Sequence, residues 1–247
     1  MLLSLDCSTL TLSLALVRRD GTVLEERFVG PPKRQSEILP GEIDALVKAH
    51  GLTLAELSGF VVGLGPGSFT GLRIGLATAK GLAYALQRPI VGASSLAACA
   101  LDGPGGVELF STAVVKKGEL YVGRYGSIPP VIDPRSRWEE GRVETSMTVA
   151  ELAELLKSRP DAKVLGPALV EYRAPLEALG VPASQLLPGP VVPSAVALTR
   201  LVTVPDAFDP QALFALEPHY LRGSGAEENP KFPPLPGVEP KARLKED

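Results

Sequence analysis

Gly65-Pro66-Gly67-Ser68-Phe69-Thr70-Gly71-Leu72-Arg73-Ile74-Gly75 is the stretch that decides the fold of this chain. The apolar run from Phe60 to Leu64 precedes it and is typical of a short strand. Pro66-Gly67 predicts a type II turn, in which the glycine takes a positive φ. Ser68 or Thr70 can then cap a helix by accepting hydrogen bonds from its first free amides. The stretch therefore predicts a strand, a tight turn that begins at Gly65, and a helix.

The helix should run to about Leu86, because Pro89 follows shortly after. Helical spacing divides its residues into a core face (Leu72, Leu76, Ala79, Ala83, Leu86), a solvent face (Arg73, Lys80, Tyr84, Gln87) and a small apolar face (Gly71, Ile74, Gly75, Thr78, Gly81, Leu82). A glycine costs a helix about 1 kcal/mol relative to alanine, so three of them need a reason. We favour the close approach of a second backbone, and we predict that the small apolar face contacts another protein.

The glycine-rich loop also has to be compared with nucleotide-binding loops. A Walker A loop ends in Gly-Lys-Ser/Thr, which is absent here. The dinucleotide fingerprint fails as well, because its third glycine would fall on Ser68 or Thr70 and the loop does not follow the first strand of a βαβ unit. On the residues alone, a capped turn without any ligand is as good an interpretation as a binding site.

Composition narrows the class of protein. The net charge of −3 argues against a chain that binds nucleic acid by itself. Two cysteines, Cys7 and Cys99, do not make a disulfide framework. Asp6 interrupts the apolar N-terminus too early for a secretory signal, and no long uncharged span predicts a membrane helix. We expect a soluble, cytoplasmic protein.

The order of elements predicts an α/β fold of two RNase H-like lobes, each with a mixed sheet and packed helices. Three antiparallel strands, a helix, a strand, the glycine-loop helix and a further strand make the first lobe. Residues 102–106 form a Gly/Pro break. A shorter second lobe follows it and consists of a hairpin, a loop at 128–142, a helix capped by Thr148 and Glu151, a strand and two helices. We predict a first lobe of residues 1–103 plus about 205–225, a second lobe of residues 104–204, and a weakly ordered, Pro-rich tail at 226–247.

Asp6, Ser8 and Thr9 lie where the first strand turns into the second. In actin-like and sugar-kinase-like folds this turn holds phosphates, and a carboxylate at a strand end suits Mg²⁺. Such loops usually need glycine, and Cys7 stands in the equivalent place. Two interpretations stay open: a vestigial nucleotide-facing turn, or an Asx-type turn that caps a hairpin. The two histidines, His50 and His219, have no metal-ligand spacing, and no Gly-x-Ser-x-Gly motif frames a serine nucleophile.

Several motifs, read in order, resemble the TsaB (YeaZ) family. They are Leu3-Ser4-Leu5-Asp6-Cys7-Ser8-Thr9, Asp20-Gly21, Ile38-Leu39-Pro40, the Gly65–Arg73 stretch, Pro89-Ile90-Val91-Gly92, Gly118-Glu119-Leu120-Tyr121 and Glu217-Pro218-His219-Tyr220-Leu221-Arg222. The likeness covers nearly the whole chain apart from the tail, and the glycine-helix motif is shared with the paralogue TsaD. The resemblance implies the two-lobed ASKHA fold of actin, Hsp70 and sugar kinases.

The resemblance also implies a function in making threonylcarbamoyladenosine beside the anticodon of tRNAs. In that system TsaD is the transferase, TsaB is its non-catalytic partner, and TsaE is an ATPase. The implied partners are a TsaD-type paralogue, a TsaE-type ATPase and, in isolation, a second copy of the chain, with tRNA contacted only through the complex and no membrane. The implied interface comprises Ile38, Leu39, Gly71, Ile74, Gly75, Thr78, Gly81 and Leu82. No intrinsic cofactor is expected, and ATP with Mg²⁺ would bind only in the complex.

The metal site of the transferase gives a further expectation. Its His-x-x-x-His falls on Ser95 and Cys99 in this chain, a pair that makes no credible site for a hard metal, so we expect no metal and no catalytic residue. This chain also has Val114 where relatives often carry an acidic residue. The alternatives are an ATP-dependent phosphotransferase or ATPase that uses Asp6, and, with least support, a free-standing hydrolase; the older label glycoprotease has no support in these residues.

Overall fold

The computed structural model describes residues 1–31, 35–126, 143–188 and 192–221. The predicted loop at 128–142 and the predicted Pro-rich tail at 226–247 therefore lie outside the described residues. The strands are β1 Leu2–Asp6, β2 Leu12–Val17, β3 Val23–Val29, β4 Gly59–Gly63, β5 Ile90–Ala93, β6 Leu109–Lys116, β7 Glu119–Tyr125, β8 Val143–Thr148 and β9 Lys163–Leu165. The helices are α1 Gln35–Ala49, α2 Phe69–Leu86, α3 Ser95–Leu101, α4 Val149–Lys157, α5 Leu169–Ala178, α6 Ala195–Arg200 and α7 Pro210–Ala215.

The first sheet has the strand order β3-β2-β1-β4-β5. β2 is antiparallel to both β1 and β3, whereas β1, β4 and β5 are parallel, so the sheet is mixed as predicted. Alternating leucines explain the burial of the hairpin: Leu12, Leu14 and Leu16 all point to the core that α1 and α2 cover. The outer strand β3 is only partly buried and forms the edge of the sheet.

The second sheet has the order β8-β7-β6-β9, with β6 and β9 parallel and the other pairs antiparallel. The hairpin between β6 and β7 turns at Gly118, which has a φ of +80°. Helices α4 and α5 cover one face of this sheet, and their core includes Leu152, Leu156 and Leu176. The capping box predicted from Thr148 and Glu151 is present at the start of α4.

Two short helices, α3 and α6, lie between the two sheets. Their shared core joins Leu2 and Val61 of the first sheet to Leu109 and Ala113 of the second. The layers therefore run α1 and α2, first sheet, α3 and α6, second sheet, α4 and α5. The sequence pattern predicts no helix at α3. It predicts a helix over residues 194–204, whereas the observed α6 ends at Arg200.

The turn before α2 differs from the predicted type II turn. The positive φ belongs to Gly65, at +91°, and the Gly65–Pro66 peptide bond is cis. Gly67 has no positive φ. A glycine is needed there for a steric reason, because a Cβ would lie 2.3 Å from the carbonyl oxygen of Ser8. Ser68 is the helix cap, because its side chain accepts from the amide of Gly71, at 3.2 Å. The predicted end of the helix at Leu86 is confirmed.

Residues 204–221 return from the second lobe to the first, and we call this segment the C-terminal strap. It contains α7, which packs against α2 and buries Leu213 in the first core. The Arg19 side chain donates to the carbonyl oxygens of Val204 and Pro205, which fixes the start of the strap. Among the described residues, no helix has both the length and the hydropathy needed to cross a bilayer.

Candidate functional site

The turn after β1 is closed around the carboxylate of Asp6, which is 1% exposed. Oδ1 accepts hydrogen bonds from the amide of Ser8, at 2.8 Å, and from its hydroxyl, at 2.6 Å. Oδ2 accepts from the Ser95 hydroxyl at 2.5 Å. The Ser95 oxygen in turn accepts from the amide of Gly65, at 3.1 Å. One carboxylate thus joins β1, the glycine loop and the start of α3.

Three glycines allow the surrounding chain to approach this turn. A Cβ on Gly63 would lie 1.9 Å from Oδ2 of Asp6, and one on Gly71 would lie 2.1 Å from the carbonyl oxygen of Cys7. Gly67 meets the Ser8 carbonyl, which also accepts a hydrogen bond of 2.7 Å from the amide of Ser68. The glycine loop therefore fills the space in front of the Asp6 turn with protein. In this conformation, the groups that would face a phosphate face the chain itself.

Burial also changes the titration of Asp6. Desolvation raises the pKa of this carboxyl, and the hydrogen bonds from Ser8 and Ser95 oppose that shift without cancelling it.

Thr9, the third residue predicted for the turn, donates to the carbonyl oxygen of Thr11 at 2.8 Å. The Gln35 side chain donates to the Thr9 carbonyl at 2.7 Å and so ties the start of α1 to the turn. This arrangement agrees better with a structural turn than with a nucleotide-facing one.

Ser95 and Cys99, the positions that match the transferase's metal-binding histidines, lie on the buried face of α3. Both side chains are at most 1% exposed, and the Ser95 hydroxyl is used by Asp6 and Gly65. Burial, with the nearby Asp6 charge as a smaller cause, raises the pKa of the Cys99 thiol. Among the residues that the structure describes, no group of three His, Cys, Asp or Glu side chains could hold a metal ion.

The small apolar face of α2 divides into two parts. Gly71 and Gly75 are buried against the chain's own β1 turn, since a Cβ on Gly75 would lie 2.9 Å from Sγ of Cys7. Leu39 on α1 is fully buried in the first core. In this conformation these three residues contact the chain itself: Gly71 faces the Cys7 backbone, Gly75 the Cys7 side chain, and Leu39 the first core. Their contact with a partner stays a prediction.

The second part of that face remains open. Gly81 is exposed, and a Cβ there would meet nothing within 4 Å. The other four predicted interface residues, Ile38, Ile74, Thr78 and Leu82, are half-buried. These five positions keep the predicted interface as a prediction.

The structure adds exposed small residues that the sequence reasoning missed. Gly41 on α1 is also exposed, with nothing within 4 Å of a Cβ. Exposed alanines continue both faces at intervals of four residues: Ala45 and Ala49 after Gly41, and Ala77 and Ala85 on either side of Gly81. The sequence did contain a signal for this exposed face. Pro40 and Gly41 are both unfavourable inside a helix, and no turn at this point of α1 requires them.

The predicted solvent face of α2 is partly covered by the C-terminal strap. The Arg73 guanidinium lies 3.8 Å from the centre of the Phe69 ring, and its Nε donates to the Tyr220 hydroxyl at 2.9 Å. Further along, Lys80 donates to the Phe214 carbonyl at 3.2 Å, and Tyr84 contacts the Phe214 ring. The strap and the open small-residue positions therefore occupy different parts of α2.

A second polar cluster lies between the lobes. The Glu144 side chain on β8 is 1% exposed; it accepts from the hydroxyls of Ser94, at 2.5 Å, and Tyr125, at 2.7 Å. Nδ1 of His219 lies 3.0 Å from its other oxygen. Beside this cluster is a cavity of about 210 Å³, lined by Leu64, Gly92, Ala93, Ser94, Ala97, Leu201, Val202 and His219.

Comparison with known proteins supports this description of the fold. A crystal structure of an uncharacterized protein with similarity to peptidase YEAZ from Pseudomonas aeruginosa superposes with a TM-score of 0.67 at 24% identity, and covers 90% of this chain and 99% of its own. YeaZ from Pseudomonas aeruginosa gives 0.59 at 24% identity, with 81% and 89% covered. The two mixed sheets, with helices between and outside them, have the two-lobed ASKHA fold.

Sequence relatives narrow the class. The chain is 37% identical over 125 residues to the tRNA threonylcarbamoyladenosine biosynthesis protein TsaB of Bacillus subtilis, which is 50% of this chain and 54% of that one. The Escherichia coli protein of the same name is 34% identical over 127 residues, with the same shares. A family model, TsaD: tRNA N6-adenosine threonylcarbamoyltransferase, matches residues 32–123. The chain is thus similar to proteins named TsaB, and the match spans little more than half the length of these curated relatives.

Proposed function

We propose that this chain is the non-catalytic partner subunit of a tRNA threonylcarbamoyladenosine complex, which binds and activates a TsaD-type transferase. Relatives named for this biosynthesis and the match to the TsaD model support the pathway. The contact would use the outward faces of α1 and α2 around Gly41 and Gly81.

The observation that carries the proposal is the contrast among the glycines of α2. Gly71 and Gly75 are needed inside the chain, because a Cβ on either would contact Cys7. Gly81 has no such need, and Gly41 on α1 has none either. A glycine at an exposed helical position costs about 1 kcal/mol relative to alanine and provides nothing to the isolated chain. Close approach of a partner's helix backbone would account for both.

The geometry of the Asp6 turn supports the absence of a catalytic role. Its carboxylate is engaged by Ser8 and Ser95, and the glycine loop occupies the space in front of it. We therefore propose no intrinsic cofactor, with ATP and Mg²⁺ acting only in the assembled complex. A TsaE-type ATPase would complete that complex, a homodimer would form in isolation, and tRNA would bind through the complex in the cytoplasm.

Reconstitution of tRNA threonylcarbamoylation with and without this chain tests the proposal. With TsaD-type and TsaE-type proteins, threonylcarbamoyl-adenylate and tRNA present, we expect modification to depend on the chain and to survive Asp6→Asn in any preparation that folds. Modification that is indifferent to the chain would contradict the partner role. ATP turnover by the chain alone that Asp6→Asn abolishes would favour the alternative, an ATP-dependent phosphotransferase or ATPase.

A further inference from the structure

The C-terminal strap contacts three separate parts of the molecule. Its start is fixed to the first lobe by Arg19, and its middle packs on α2 through Phe214 and Leu213. At its end, the amide of His219 donates to the carbonyl oxygen of Leu64, just after β4, at 2.8 Å. The backbone of the strap is therefore attached to the first lobe along its length.

The side chain of His219 reaches the other lobe. Its Nδ1 lies 3.0 Å from the Glu144 carboxylate on β8, a strand at the edge of the second sheet. The two partners have very different environments, since the histidine is 35% exposed and the carboxylate 1%. A contact between a partly exposed imidazole and a buried carboxylate can be broken from the solvent side while the carboxylate keeps its bonds from Ser94 and Tyr125.

The cavity of about 210 Å³ adjoins this contact at His219. One wall comes from the first lobe, at Leu64 and Gly92, and another from the segment after α6, at Leu201 and Val202. His219 itself forms part of the lining. Separation of His219 from Glu144 would therefore displace one wall of this cavity and release one link between the sheets.

We infer that the C-terminal strap is a releasable latch between the two lobes, with the His219–Glu144 contact as its closing bond. Tyr220, the next residue, is held on α2 by the Arg73 guanidinium and the Phe69 ring. The position of His219 consequently depends on α2. Loss of the Arg73 contacts with Tyr220 should therefore weaken the His219–Glu144 contact. The inference concerns the isolated chain and does not depend on the proposed function.

Hydrogen exchange of the full chain, followed by mass spectrometry, tests this inference. His219→Gln and, separately, Glu144→Gln should increase exchange about tenfold in peptides that cover residues 92–99 and 199–203, the size expected for the loss of one hydrogen bond from an opening equilibrium. Arg73→Ala should produce a smaller increase in the same peptides. Exchange in α5 should stay unchanged in all three variants.

The chain contains a matched control, because its other histidine also pairs with a glutamate. Nε2 of His50 lies 2.7 Å from Glu25, and both residues belong to the first lobe. His50→Gln should leave exchange in the cavity peptides at the wild-type rate. Wild-type exchange in both His219→Gln and Glu144→Gln would overturn the latch, as would an equal increase in His50→Gln.

Discussion

The Ser95 hydroxyl donates a hydrogen bond of 2.5 Å to the Asp6 carboxylate and thereby joins the start of α3 to the end of β1. In a nucleotide-binding member of this fold class, the equivalent turn would face phosphate. Here the glycine loop and α3 meet the turn directly, and Gly63 leaves room for the Asp6 carboxylate. The Asp6 turn therefore helps to fix the position and direction of α2.

Asp6 should make the free energy of unfolding fall as the pH rises, which is the reverse of the usual effect of a carboxyl group. Burial raises its pKa in the folded state above the ordinary value of 3.8, so the folded state holds this proton more tightly than the unfolded state. The contribution of Asp6 to the free energy of unfolding should fall as the pH rises above about 4, until the folded-state pKa is passed.

Urea unfolding of wild type and Asp6→Asn between about pH 3 and pH 7 measures this effect. The wild-type free energy of unfolding should decrease relative to that of the variant as the pH rises. Carboxyls with lowered pKa, such as Glu56 and Glu151, have the opposite dependence but are common to both proteins and cancel in the difference. A difference that is flat or that rises with pH would contradict the assignment.

Two glycine-to-alanine substitutions should change stability in opposite directions. Gly63→Ala places a Cβ 1.9 Å from Asp6 Oδ2 and should lower the free energy of unfolding by about 2 kcal/mol or more. Gly81→Ala meets nothing within 4 Å in an exposed helix and should raise it by about 0.5–1 kcal/mol. Chemical denaturation of both variants gives the comparison. Destabilisation by Gly81→Ala in the monomeric chain would mean that this glycine has an internal role.

Both thiols should be unreactive in the folded protein. Cys7 and Cys99 are at most 1% exposed, and burial raises the pKa of each. A colorimetric thiol reagent at neutral pH should detect no thiol in the native chain and both after unfolding in guanidinium chloride. Rapid modification of one cysteine in the native state would show that α3 or the β1 turn opens under these conditions.

The fold could be predicted well where local chemistry decides it. The Leu12–Leu16 alternation, the Thr148 capping box and the Ser68 cap each specify their element without distant contacts. α3 was missed because Leu96 to Cys99 is apolar on every side, and its burial between two sheets is a tertiary property. α7 is too short to show a helical period before its contact with α2 exists.

The site was harder to predict because glycine spacing does not say which backbone approaches. Gly71, Gly75 and Gly81 look equivalent on a helical projection. Only the position of Cys7 separates the first two, which are required within the chain, from the third, which is open. In the same way, the distance in sequence between Ser95 and Asp6 hid the bond that closes the turn.

The central claim is that the open small-residue faces bind a TsaD-type partner, and Gly81→Arg tests it most directly. Because Gly81 is exposed and open, the variant should fold like wild type, whereas Gly75→Arg would disrupt the β1 turn and test only folding. Ala150→Arg, at an exposed position of α4 in the second lobe, is the matched control.

The measurement is the dissociation constant between a TsaD-type protein and each purified chain, by titration calorimetry. We predict that Gly81→Arg weakens binding at least about 100-fold, as expected when a charged side chain of this size is forced into a close helix contact, while Ala150→Arg binds like wild type. Equal affinities for wild type, Gly81→Arg and Ala150→Arg would contradict the account.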